Sequence, residues 1–501
     1  GFFPFLFALD TSAMSRRLPV APAPGPLEAY AGAFDDLLGH RSQRVQFRRY
    51  LEGLLLASER NKTFTGLANT EPGAGATDPA AQRMQWFVSE STWDAERINQ
   101  RRLQLLAATP ATAPDASGAL IIDETGDRKW GGQTAHVGRQ WLGSIGKTDN
   151  GVVSVSSVWA DERVYYPIEV EPYTPASHFA RGKADPAFRT KPQIALQLVE
   201  QAVGAARPFR AVVADSFYGE HEAFKAGLET LSIGYVLALK PSHCWWHLEG
   251  TIGSVFDAAQ AADWQADAPG DWVALQRVFR DGHEETWWAL EADAGPYGPE
   301  RAQRLVIVTT DPTQLPDQST WYLTTNVPTP DSARAATRPL TAADLAEVVR
   351  LYGLRIWVEQ SYKQVKGTLG WADYQVRNAV GIRRHWQLVW CAFSFCWWAL
   401  DQEDIQPIES VLDTGLSPIQ VEAVRAPHLS SANANQREKK TMRWRPRLRW
   451  PQALRKVRAW LEPYLKLRLY WQAGSKDPPP APLQALLDRL EKGQPIYLYC
   501  R

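Results

Sequence analysis

Ala119-Leu120-Ile121-Ile122-Asp123 and Ala211-Val212-Val213-Ala214-Asp215 are two short apolar runs, and each ends in an aspartate. Runs of this length, bounded by polar residues, predict buried strands. A strand inside an α/β sheet delivers its terminal side chain to the edge where ligands bind. The two runs therefore predict two carboxylates at one sheet edge. Between them, Asp149-Asn150-Gly151 is a turn signal, and VVSVSSVWA (152–160) and RVYYPIEVEPY (163–173) read as successive antiparallel strands. A helix over 192–204, the strand 211–215, a helix near 220–231 and the strand YVLALK (235–240) follow.

Three strands followed by alternating strand and helix is the order of a ribonuclease-H-like α/β core. The stretch 245–320 interrupts it with Trp-rich, strand-like runs (WVALQRVF, ETWWALEA, RLVIVTT) and reads as a β-rich insertion. A long helix is expected from a cap near Thr341 to about Thr368, and LVWCAFSFCWWAL (388–400), too short for a bilayer span, reads as a buried helix. The expected organisation is a core in two parts, 116–244 and 321–400, around the insertion, with flanking, mainly helical regions. Residues 27–115 are expected to be a helical DNA-binding region, and 401–501 a basic region for DNA binding or dimerisation. Residues 1–26 are expected to be a disordered or non-native leader, since Met14 before Ser-Arg-Arg is a plausible start.

The 501 residues, 45% of them apolar and 22% charged, read as globular rather than disordered. Zero formal net charge argues against a uniformly basic nucleic-acid coat, while leaving local patches open. Cys244, Cys391, Cys396 and Cys500 form no paired CxxC ladder, so neither a zinc module nor a disulfide framework is indicated, and a reducing cytoplasm is the simple reading.

Tyr352, Arg355, Glu359 and Lys366 stand three, seven and fourteen residues along from the first. At about 100° per residue they fall within roughly 60° of one another on a helix. The stripe continues the apolar line of Leu345 and Val348, which suggests a wet cleft rather than an open salt-bridge face. Three hard oxygen donors converging from two strands and a helix can hold two Mg²⁺. Such a pair stabilises the attacking and leaving oxygens of an in-line displacement. Arg355 and Lys366 would then meet the non-bridging phosphate oxygens.

This Y-x2-R-x3-E-x6-K pattern resembles the signature of the DDE transposases of bacterial insertion sequences. The stretches IDETGDRKWGG, VGRQWLGSIGKTDNG, FRTKPQIALQLVEQA and ADSFYG are similar to one branch of them. The resemblance covers roughly residues 30–400. It implies that Asp123, Asp215 and Glu359 are the catalytic, metal-binding triad, that Mg²⁺ is used with Mn²⁺ able to substitute, and that a homodimer forms on terminal inverted repeats of double-stranded DNA before strand transfer into target DNA. It implies no membrane, and a cytoplasmic, nucleoid-associated location. The alternatives are an inactive, domesticated DNA-binding protein and a metal nuclease of the same fold.

Further DNA contacts are expected elsewhere. The paired segments 80–90 and 93–106, broken at Ser91-Thr92, are either a helix-turn-helix presenting Arg97, Arg101 and Arg102 to phosphates or a plain helical hairpin. Among 22 tryptophans, Trp287 and Trp288 in the insertion either stack a flipped base or pack the insertion itself. Arg443, Arg445, Arg447 and Arg449 alternate with Trp444, Pro446, Leu448 and Trp450, so an extended segment here would be a basic, aromatic-interleaved ribbon suited to DNA.

Overall fold

The structure is a computed structural model that describes residues 23–401 and 449–495, apart from 59, 248–251, 280–282, 293, 296–302, 331, 333–334 and 337–338. Its centre is a mixed sheet. In chain order the strands are β1 (Ala119–Arg128), β2 (Gly138–Leu142), β3 (Lys147–Ala160), β4 (Tyr165–Tyr173), β5 (Ala211–Ala214) and β6 (Tyr235–Ala238). Then come β7 (Cys244–His247), β8 (Ile252–Ser254), β9 (Val273–Val278), β10 (Glu284–Ala292), β11 (Ala294–Gly295), β12 (Arg304–Thr309) and β13 (Thr320–Thr325). The main sheet runs β2-β3-β1-β5-β6-β13-β12-β10-β9, with β4 also paired to β3. β1, β5 and β6 are parallel neighbours, and every other pairing is antiparallel. This is the α/β, ribonuclease-H-like architecture expected, and its central strands are buried throughout Ala211–Ala214 and Tyr235–Ala238.

One expectation about the strands needs correction. Asp149-Asn150-Gly151 is not a turn but lies inside β3, paired with β2. The chain reverses instead at Gly143–Ile145 and Gly146, whose φ of 62° is the left-handed conformation that glycine adopts without steric cost. The stretch read as an insertion is β-rich, and most of it continues the core sheet. β13, β12, β10 and β9 extend the core sheet from β6, while only β7, β8 and β11 form a small sheet of their own.

The helices are α1 (Pro26–Gly32), α2 (Arg41–Leu55), α3 (Phe64–Leu67), α4 (Pro79–Ser89), α5 (Ala95–Ala108), α6 (Lys191–Gly204), α7 (Ser216–Gly219), α8 (Glu222–Thr230) and α9 (Val255–Ala261), followed by α10 (Leu345–Gly353), α11 (Ile356–Gly367), α12 (Ala379–Asp401), α13 (Trp450–Gly474) and α14 (Ala481–Glu491). The buried stretch expected at 388–400 is the body of α12, against which α2, α4, α5 and α13 pack. Trp371 stacks on Trp386 with centroids 4.9 Å apart, and Trp450 stacks on Phe393 at 4.8 Å. One contiguous apolar cluster runs from Ala23 to Leu490, so the described parts of both terminal regions belong to the core. No helix among the described residues is long and apolar enough to cross a membrane.

The pair α4 and α5 is a helical hairpin whose second helix is capped by Asp94, just after the Ser91-Thr92 break. Its polar face is largely structural. Arg102 is fully buried, donating to Asn99 Oδ1, the carbonyls of Pro167 and Ile168, and Ser394 Oγ. Arg101 pairs with Asp36 at 2.9 Å. Arg102 therefore cannot face a phosphate, which removes one of the three contacts of the helix-turn-helix reading.

Candidate active site

Register places the two aspartates side by side. Ile121 of β1 pairs with Val213 of the parallel β5, so two residues further on Asp123 and Asp215 leave adjacent strands at the same edge. β5 stops there because Asp215 caps α7, accepting from the Phe217 amide at 3.0 Å. β1 continues, because β3 still pairs with it as far as Arg128.

The third acid arrives on a broken helix. The expected single helix from Thr341 to Thr368 is two, with Asp344 rather than Thr341 capping the first through the Glu347 amide. At the joint the amides of Arg355, Trp357 and Val358 bond carbonyls three residues back, a tightened turn between α10 and α11. The four-residue stripe is thereby divided. Tyr352 ends α10 with its ring against Trp321 at 5.0 Å, while burial pushes its phenol up to about 12. Arg355 sits at the joint, and Glu359 and Lys366 lie on α11.

Arg355 occupies the middle of the acids. Its guanidinium is 2.6 Å from Glu359 and 3.9 Å from Asp123. Burial opposes its charge, but Asp123, Tyr352, Glu359 and Asp215 outweigh that and hold its pKa above the usual range. Its Nε is buried without a partner. Burial pushes Asp123 up to about 7; Arg355 opposes the shift, and Asp215 and Glu124 reinforce it. Asp215 is raised too, chiefly by burial. Two desolvated carboxylates facing one cation are under-neutralised, which is the electrostatic condition that favours taking up a cation or a proton.

The donor chemistry, three carboxylates, fits hard divalent cations. Among the described residues, however, no three acidic, His or Cys side chains already surround a common point. Glu359, about half exposed, is drawn instead to Arg355.

Lys366 is not turned to the cleft as a free cation. It bonds Asp127, a side chain only 3% exposed, at 2.6 Å and the Gly126 carbonyl at 2.8 Å, tying α11 to β1. Trp287, 5% exposed, lies 4.8 Å from Trp321 with the Arg277 guanidinium over its face, and Trp288 packs on Trp264 at 4.5 Å. Both tryptophans are packing residues in this arrangement, because alternation along β10 sends one to each face and both faces are covered. Arg443, Arg445 and Arg447 lie outside the described residues. Arg449 is exposed and extended just before α13, and its neighbour Trp450 opens that helix 1% exposed in the core.

Four contacts were not anticipated from the sequence. The Tyr362 hydroxyl donates to the Asp123 carbonyl at 3.0 Å and meets Ser156 Oγ at 2.6 Å. Tyr362 stands three residues beyond Glu359, and so continues the same stripe of spacings, which was the available signal. Glu124, next to Asp123 in β1, is engaged by Lys191 at 2.8 Å and by the Tyr218 hydroxyl at 2.7 Å.

Two aspartates thus leave adjacent strands at one sheet edge, with Arg355 between Asp123 and the helix glutamate Glu359. Residues 33–303, more than half of the chain, match the family described as DDE superfamily endonuclease, and the chain belongs to that family. It is 34% identical over 300 residues to a probable transposase for insertion sequence element IS701 from Microchaete diplosiphon, a match spanning 59% of this chain and 69% of that protein. Asp123 and Asp215 fall within the family match, whereas Glu359 lies beyond it.

Proposed function

We propose that this chain is the transposase of an insertion sequence, binding terminal inverted repeats, cutting DNA at the element's ends and joining the freed 3′-ends to target DNA. The observation that carries the reading is the convergence of Asp123, Asp215 and Glu359 on the one Arg355 guanidinium. Asp123, Asp215 and Glu359 would hold two divalent ions, Mg²⁺ or Mn²⁺ in its place, which supply Lewis-acid stabilisation to the attacking and leaving oxygens.

The chain's own residues do the rest. Arg355, released from Glu359, turns its fork to the non-bridging oxygens of the scissile phosphate. Tyr362 holds the backbone of Asp123, and the Lys366–Asp127 pair fixes β1 against α11, so the acids are carried on rigid elements. Tyr352 borders the acids without leaving its packing on Trp321. No side-chain nucleophile is required: water attacks first, and the freed 3′-hydroxyl attacks second. Two copies acting on paired ends would form the synaptic homodimer.

The test is incubation of the purified chain with a labelled duplex carrying its flanking inverted repeat and a target plasmid, with and without Mg²⁺. Metal-dependent nicks at the repeat boundary together with joined products are expected. Cutting without joining would favour a nuclease of the same fold, and binding without cutting a DNA-binding protein.

A further inference from the structure

The β2–β3 hairpin carries more than a turn. β1 passes Asp123 and runs on to Arg128, past the end of β5, so the ribbon of β1, β3 and β2 projects from the edge that bears the acids. Five residues at about 3.3 Å each carry it roughly 17 Å beyond Asp123. Its surface is unlike the rest of the sheet. Trp130 is 82% exposed and Trp141 58% exposed, both far above what an ordinary surface leaves open for so large an apolar group.

Cations accompany them on both faces. Arg139 and Trp141 share one face of β2, opposite Asn150 and Thr148. On the other face Arg128 stacks over Trp130 at 4.2 Å and reaches Asp149 at 3.0 Å, while Lys147 lies 3.9 Å from the same carboxylate. Two cations therefore meet one carboxylate, and Arg139 stands on the opposite face. A ribbon that is basic and aromatic on both faces suits a partner that encloses it from both sides and is negatively charged.

We propose that this ribbon enters the major groove of the duplex beside the scissile phosphate, about five base pairs from the cut. The B-DNA major groove is wide enough for a two-stranded ribbon, and its walls are phosphate backbones. Arg139 and Lys147 would meet opposite walls, and Trp130 and Trp141 would lie against sugars and base edges. This rests on the DNA-cutting reading of the acid site and adds to it a second grip that fixes where along the duplex the cut falls.

The experiment uses the full chain carrying Glu359→Gln, which keeps the DNA uncut, and a duplex containing the inverted repeat with flanks on both sides. Guanine N7 methylation reports the major groove, and binding is titrated against salt. Protection about five base pairs from the boundary is expected. Arg139→Ala with Lys147→Ala should remove that protection, weaken binding at least about tenfold near 0.15 M salt, and reduce the salt slope by about two. Trp141→Ala should lose the protection with the salt slope unchanged. Retained protection and affinity in these variants would overturn the proposal while leaving the cutting site intact. A change in sedimentation mass of the tryptophan variant with the footprint unchanged would overturn it in favour of a contact between copies. Absence of any footprint with the parent chain would overturn the DNA-cutting reading itself.

Discussion

Asp123→Asn is expected to stabilise the metal-free protein at alkaline pH. Burial pushes the Asp123 carboxyl from 3.8 up to about 7. The folded chain thus holds a proton there until about pH 7, whereas the unfolded chain releases it near pH 4. Because the folded state binds more protons in that window, stability falls as pH rises through it. Each pH unit in the window costs about 1.4 kcal/mol, so between pH 5 and pH 8 the loss from this group is about 3 kcal/mol. Asparagine keeps the shape without the charge, and Arg355 retains Glu359 at 2.6 Å as its partner. Urea unfolding of both proteins in chelator, at pH 5 and pH 8, isolates the effect, since titrating groups not coupled to Asp123 cancel in the difference. The gap should open by about 3 kcal/mol in favour of the variant. A gap independent of pH, or a variant less stable at pH 8, would refute the reasoning that the acid edge is strained by its own charge.

Lys366→Ala should cost about 3–5 kcal/mol in the same assay, because it strands a buried Asp127 carboxylate. Adding Asp127→Asn should recover much of that loss, and full additivity of the two would contradict the pairing. Trp287→Ala should also cost about 3–5 kcal/mol as a core truncation; slower DNA cutting at unchanged stability would restore a base-stacking role. His385 is buried as a neutral ring, with Nδ1 near the Tyr50 hydroxyl at 2.8 Å and Nε2 near the Gly370 carbonyl at 2.9 Å. Burial lowers its pKa to about 4, below the unfolded value near 6.5, so its contribution is complete above pH 6.5 and lost as pH falls toward 4. His385→Gln should flatten that acid limb in a circular-dichroism titration, and an unchanged limb would contradict it.

The two apolar runs ending in Asp123 and Asp215 were legible because buried parallel strands have little compositional freedom. The helix stripe through Glu359 was legible as a spacing, but its division at Leu354 and Arg355 was not. The one local hint was Gly353, the last residue of α10, and a lone glycine inside a helical pattern is often tolerated; the tightened turn after it leaves Arg355 3.9 Å from Asp123. The turn signal at Asp149-Asn150-Gly151 misled because local turn chemistry gave way to pairing across the ribbon, and Gly146 took the left-handed position instead. Arg102 read as a surface cation since composition does not reveal that the carbonyls of Pro167 and Ile168 need a donor. The same holds for Trp287, whose neighbours Arg277 and Trp321 come from other strands.

The central claim is that Asp123, Asp215 and Glu359, far apart in the chain, serve one divalent-cation site. Localised oxidative cleavage tests it most directly: Fe²⁺ with ascorbate and peroxide is added to the purified chain, and hydroxyl radicals cut the backbone near wherever the ion is held. The account predicts three cuts, near residues 123, 215 and 359, all suppressed by excess Mg²⁺ and all lost together in Asp123→Asn. Cuts that appear elsewhere, or cuts near only one of the three acids, would contradict it.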